Sequence, residues 1–128
     1  MDKSDPLEQA RSFIYANIHS VDHFRVVLLL YDDPERRWQA SEIVGRLRLP
    51  PPVVHTILLD LQARGFVLSE SDDCFRYAPK IEELAVMMRK LADFDRERPV
   101  SLIRMIYSRP TEPQAFADAF RIRQPKQN

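Results

Sequence analysis

Residues 41–79, SEIVGRLRLPPPVVHTILLDLQARGFVLSESDDCFRYAP, decide the fold of this 128-residue chain. Ile43, Val44 and Leu47 fall on one side of a helical wheel, so Ser41 to Leu47 reads as a short amphipathic helix. Pro50, Pro51 and Pro52 form a stiff turn after it, because each lacks a backbone N–H and has a fixed φ. Proline is nevertheless accepted in a helix's first turn, so the last of the three can open a second helix. Val54, Ile57, Leu58 and Leu61 share the inner side of that helix, and Gly65 stands where a left-handed residue would end it. Phe66-Val67-Leu68 and Phe75-Arg76-Tyr77 then read as two strands of a hairpin, with Ser69-Glu70-Ser71-Asp72-Asp73 as its polar tip.

Helix, tight turn, helix and hairpin in that order are the plan of a winged helix-turn-helix, a module that commonly lays its second helix against DNA. The flanks extend the same picture. Asp5-Pro6 with Glu8 marks a helix start, and Leu7, Ala10, Ile14 and Ile18 recur at helical spacing. Ser20 can cap a second helix through Phe24, Val27, Leu28 and Tyr31. That helix is apolar nearly all round from Val26 to Leu30, which places it at the centre of the core. Asp32-Asp33-Pro34 stops it. Arg36-Arg37-Trp38 leads into a short strand whose Trp38 packs on the wing's sheet.

Beyond Pro79, Ile81, Leu84, Ala85, Met88, Leu91 and Ala92 keep the helical repeat over Lys80 to Glu97. After Pro99, Val100, Ile103, Ile106 and Tyr107 mark another helix, with Leu102 and Met105 on its other side. Thr111-Glu112-Pro113 opens a last short helix through Phe116 and Phe120, followed by the basic tail RIRQPKQN. The expected class is mainly α with a small β-wing: a winged helix-turn-helix over 1–79 and a C-terminal helical segment and tail over 80–128.

Composition agrees with helices joined by prolines. Two glycines against 10 prolines leave too few left-handed turns for an all-β fold. Net charge is zero, so no whole-protein field draws the chain toward a polyanion. Residues 1–80 carry 10 Lys+Arg against 12 Asp+Glu, whereas residues 81–128 carry 9 against 7, so the expected winged region is the more acidic part. One cysteine, Cys74, excludes an internal disulfide and any multi-thiolate metal or iron–sulfur site. The N-terminus lacks a hydrophobic signal core and the longest apolar run, Val26 to Tyr31, is far too short to span a bilayer. A cytoplasmic protein with no membrane contact is expected.

On the second motif helix, Pro52, Thr56, Leu59 and Ala63 point away from the core side, with His55 and Asp60 at the flanks. Base reading relies on Arg, Lys, Asn or Gln, whose bidentate donors match base edges, and none stands on that face. Glu70, Asp72 and Asp73 at the wing tip would repel phosphates. Positive charge is available from Arg36, Arg37, Arg46, Arg48, Arg64 and Arg76, enough for salt-sensitive affinity with weak sequence choice. The expected DNA-facing set is Arg36, Arg37, Arg46, Arg48, Pro52, His55, Thr56, Leu59 and Arg76.

Three stretches, SEIVGRLRL (41–49), the V-x-x-x-L-x-x-L-x-x-x-G-F pattern from Val54 to Phe66, and FRYAP (75–79), resemble the winged-helix transcriptional regulators of bacteria, broadly the MarR-like kind. The resemblance covers about Ser20 to Pro79, and the ending from Ile106 to Arg123 looks like that of short bacterial winged-helix proteins. It implies a DNA-binding transcriptional regulator, and with the dimer expected from residues 81–107 the first reading is a homodimeric one. The cysteine cluster of iron–sulfur winged-helix sensors is missing here, and acidic residues replace the basic MarR-type wing.

Other chemistry is thin. His19 and His23 are spaced for two ligands on one helix face, yet no third ligand accompanies them and a helix boundary lies between; capping or surface roles are expected instead of a metal site. Asp72 and Asp73 disfavour a Cys74 thiolate. With no phosphate loop, nucleophile elbow or paired carboxylates, neither enzyme activity nor a cofactor is expected. Residues 81–107 carry more apolar surface than a small core can cover. That predicts a dimer interface of Leu84, Met87, Met88, Leu91, Ile103 and Ile106. An alternative function is a protein-interaction module that docks a regulatory partner on the Leu59/Ala63 face.

Overall fold

The computed structural model describes residues 5–108, and the expected helix through Phe116 and Phe120 lies outside them. The elements are α1 (Pro6–Asn17), α2 (Val21–Asp32), β1 (Trp38–Gln39), α3 (Ala40–Leu47), α4 (Pro51–Arg64), β2 (Val67–Ser71), β3 (Cys74–Tyr77), α5 (Glu82–Glu97) and α6 (Pro99–Tyr107). The protein is mainly helical with one small antiparallel sheet.

Local chemistry accounts for most boundaries. The Leu7 N–H donates to the Asp5 carboxylate at 3.1 Å, and the His23 N–H donates to Ser20 Oγ at 3.0 Å, so both expected caps form. Glu42 reaches back to accept from the Gln39 N–H at 2.9 Å, which starts α3 one residue earlier than expected. Gly65 ends α4 with φ +87°, and a Cβ there would sit 3.1 Å from Lys80 Cβ. Its carbonyl accepts from the Lys80 N–H at 2.7 Å, tying the end of α4 to the approach to α5.

The sheet runs β1-β3-β2, with Trp38 opposite Phe75 and Val67 opposite Tyr77. Trp38 is buried against this sheet, as expected. A bulge between Ser69 and Ser71 lets β2 continue into the stretch expected as the polar tip. The turn therefore tightens to Asp72-Asp73, with Asp73 at φ +60°.

Helix α2 lies at the centre. It packs on α3, α4 and β3 and also on α6, and Phe24, Val26, Val27 and Leu30 are buried. Helices α5 and α6 close the same core from the other end, α5 against α1 and α6 against α1 and α2. On α6 the inward residues are Leu102, Met105 and Ile106, while Val100, Ile103 and Tyr107 face out. Both sides of this helix are apolar, so only its neighbours select the inner one.

Candidate interface on helix α4

Helix α4 buries Val54, Ile57, Leu58 and Leu61 and turns Pro52, His55, Thr56, Leu59 and Ala63 outward. Leu59 is 48% exposed, a large apolar side chain left in water on a helix otherwise well packed. Val53, absent from the expected set, joins it at the surface; a β-branched residue one step from the inner stripe gave no signal of that.

The start of α4 has an unusual property that follows from its prolines. Pro51 and Pro52 carry no N–H, and the next two N–H groups, of Val53 and Val54, both donate to the Pro50 carbonyl at 3.0 and 3.1 Å. A helix N-terminus ordinarily offers unsatisfied N–H groups to an anion. This one has none to offer, so the end of α4 cannot grip a phosphate through its backbone.

A groove of about 480 Å³ opens where α3, the start of α4 and the wing turn meet. Ser41, Val44, Pro51, Pro52, His55 and Asp73 line it. The turn is drawn in toward it: the Ala40 N–H donates to the Asp73 carbonyl at 3.0 Å, and His55 Nδ1 stands 3.9 Å from the Asp73 carboxylate.

The arginines expected to meet phosphates are already engaged. Arg36 pairs with Glu42 at 3.2 Å and lies 3.8 Å from the Trp38 ring centre, with Arg46 also over that ring. Glu70 accepts from Arg76 at 2.6 Å and pairs with Arg37 at 3.5 Å. The Gln39 N–H first, and then Arg36, hold the Glu42 carboxyl below its ordinary value; Arg76 does the same to Glu70. Glu70 is thus not a free charge at the tip, as its position in the sequence suggested, but the counter-ion of two wing arginines. The Arg48 side chain, by contrast, has no hydrogen bond or ion pair among the described residues and is exposed.

Arg64 points to the opposite side of α4. It donates to the Asp60 carboxylate and to the Ala16 carbonyl, both at 2.8 Å, and contacts His19. His23, buried, meets the same Asp60 through Nε2 at 2.7 Å, and its ring stands edge-on to that of His19. Spacing suggested His19 and His23 as a ligand pair or as surface groups; the fold makes them half of a polar clamp joining α2 to α4. Residue 23 reaches residue 60 across the fold, which no local pattern reveals.

Three members of the expected dimer set need correction. Met88, Leu91 and Ile106 are enclosed by α1, α2 and the α5–α6 contact, with Met88 fully buried, so they have no surface for a second copy. Leu84 and Met87 are half-buried, and Ile103 is exposed.

Among the described residues, no helix is long and apolar enough to cross a membrane and no group of three or more His, Cys, Asp or Glu side chains could hold a metal ion. Comparison with protein families, curated proteins and solved structures found nothing that matches the chain.

Proposed function

We propose that this chain is a winged helix-turn-helix regulatory module whose α4 face docks a protein partner. The order α2-β1-α3-α4-β2-β3, with β1 beside β3, supports the winged reading. The observation that carries the partner reading is Leu59, nearly half exposed beside Val53 and Pro52 on a helix whose first turn has no N–H donor for phosphate. An apolar anchor on the same helix as a small, largely apolar groove suits the buried centre of a protein interface, where desolvated side chains supply the affinity. The test is affinity capture from the source cells with the wild-type chain and with Leu59→Glu. A partner held by the first and lost by the second, at unchanged thermal stability, is the expected result. A partner retained equally by both would reject the α4 face.

Binding of duplex DNA is the second reading, favoured by one observation: Arg48 projects unpaired from the turn directly before α4. Salt-titrated anisotropy with a random duplex separates the two. The protein reading expects no binding at low salt. Binding whose log K falls with log salt, by about 0.9 per neutralised phosphate, would transfer the function to DNA.

A further inference from the structure

An apolar groove of about 550 Å³ runs between α1 and α5, with Leu7, Ala10, Met87, Leu91 and Phe94 in its wall. A second hollow, of about 330 Å³, shares Leu7, Phe94 and Arg98 with it and opens against α6. The two adjoin along one side of α5. That side recurs at helical spacing through Met87, Leu91, Phe94 and Arg98, and it extends for about 16 Å.

Charge is divided between the two parts. The α6 part is lined by Arg11, Arg98 and Arg104 and by no carboxylate. Arg11 pairs with Glu8 at 2.9 Å, whereas the Arg98 and Arg104 side chains have no hydrogen bond or ion pair among the described residues. Ser101, one turn before Arg104 on α6, adds a hydroxyl to the same hollow. The carboxylates of the trough, Asp5, Asp93 and Glu97, all stand along the α1–α5 part, where Lys90 donates to Gln9 at 3.2 Å. Asp5 is engaged in capping α1 and Asp93 in pairing with Arg96.

We propose that this trough binds a straight-chain alkyl carboxylate, its head at Arg98 and Arg104 and its hydrocarbon along Leu7, Phe94 and Met87. Guanidinium groups match a carboxylate with paired N–H donors, so the head belongs at the arginine end. The carboxylates along the groove repel it from the other end and fix its direction. The body follows from the shape of the wall. A single ring would cover about one 5.4 Å helical turn of it, whereas an alkyl chain can follow several. The site lies at the α1–α5–α6 end of the fold and does not rest on the docking role of α4.

Calorimetric titration of the full-length chain with decanoate, below its micelle concentration, tests the assignment. Saturable binding of one decanoate per chain is expected, with octanoate weaker by up to about fourfold per methylene removed. Acetate, which has the head alone, and decyltrimethylammonium, which has the tail with the opposite charge, should each bind at least about tenfold more weakly. Arg98→Glu with Arg104→Glu should weaken decanoate about tenfold or more at an unchanged melting temperature, since both side chains are exposed. Leu7→Glu, also at an exposed position, should weaken it through the tail and remains readable if the arginine pair disturbs folding. Absence of saturable decanoate binding would overturn the proposal. So would equal affinity for decyltrimethylammonium, or decanoate binding that neither the arginine pair nor Leu7→Glu reduces.

Discussion

Asp60, ionised at neutral pH, can only accept, so its 2.7 Å contact with His23 requires the imidazole proton on Nε2. Nδ1 is then a bare lone pair, and it has no hydrogen-bond partner among the described residues. Burial, outweighing the pull of Asp60, holds the His23 ring below its ordinary 6.5. Partial burial raises the Asp60 carboxyl, but the His23 and Arg64 bonds prevail and leave it below its ordinary value. His19 and Arg64 are the other charged or titratable neighbours, and both oppose protonation of His23. A depressed folded value means that the unfolded chain takes the proton first. This contribution is therefore complete above 6.5 and is lost as pH falls below it. His23→Leu should cost about 1–2 kcal/mol at about pH 7.5, through the lost bond to a partly exposed carboxylate. It should also flatten the fall in stability between about pH 6.5 and pH 5.5. Urea unfolding of both proteins at the two pH values measures this; parallel losses would remove His23 as the source. Caps such as Asp5 and Ser20 were legible because each acts within three residues, whereas the His23–Asp60 bond joins positions that only the fold brings together.

Helix α3 ends on Arg48, a non-glycine residue at φ +59°, ψ +46°. That conformation places Cβ close to the following carbonyl and costs a residue with a side chain about 1 kcal/mol. Arg48→Gly should therefore stabilise the protein by roughly 0.5–1 kcal/mol in denaturant melts, the relief being partly offset by the greater freedom of the unfolded chain. The same substitution removes an arginine beside α4 that has no hydrogen bond or ion pair among the described residues. Partner capture should survive it, and any residual DNA affinity should fall. Destabilisation on Arg48→Gly would show that the guanidinium makes a contact worth more than the strain. Elements were legible wherever a period or a breaker is local: Pro51, Gly65 and Pro99 each stand at a helix boundary, and the inner stripe of α4 follows its 3.6-residue repeat. Charge pairing was not. The sequence puts Glu70 among tip residues, but the bulge in β2 brings it to Arg76 on the neighbouring strand, with Arg37 beside it.

Across the molecule, the excess apolar surface read from residues 81–107 divides into two parts. Met88, Leu91, Leu102, Met105 and Ile106 go to the protein's own core, shared with α1 and α2. What α6 leaves outside is Val100, Ile103 and Tyr107, the last 76% exposed, at i, i+3 and i+7 along one side. A homodimer built on this helix must use that stripe, in a self-complementary contact between two copies. Two aspartate substitutions separate fold from assembly. Met88→Asp buries a charge with no partner and should cost several kcal/mol, of the order of the whole stability of a domain this size, so the chain unfolds instead of dissociating intact. Ile103→Asp sits in solvent and should shift stability by no more than about 0.5 kcal/mol. Light scattering at micromolar concentration should give twice the chain mass for the wild type and the single-chain mass for Ile103→Asp, with matching melting temperatures. A wild type already at 15.0 kDa would remove the dimer altogether. A dimer that survives Ile103→Asp would move the contact off α6, with the half-buried Leu84 on α5 the next residue to substitute.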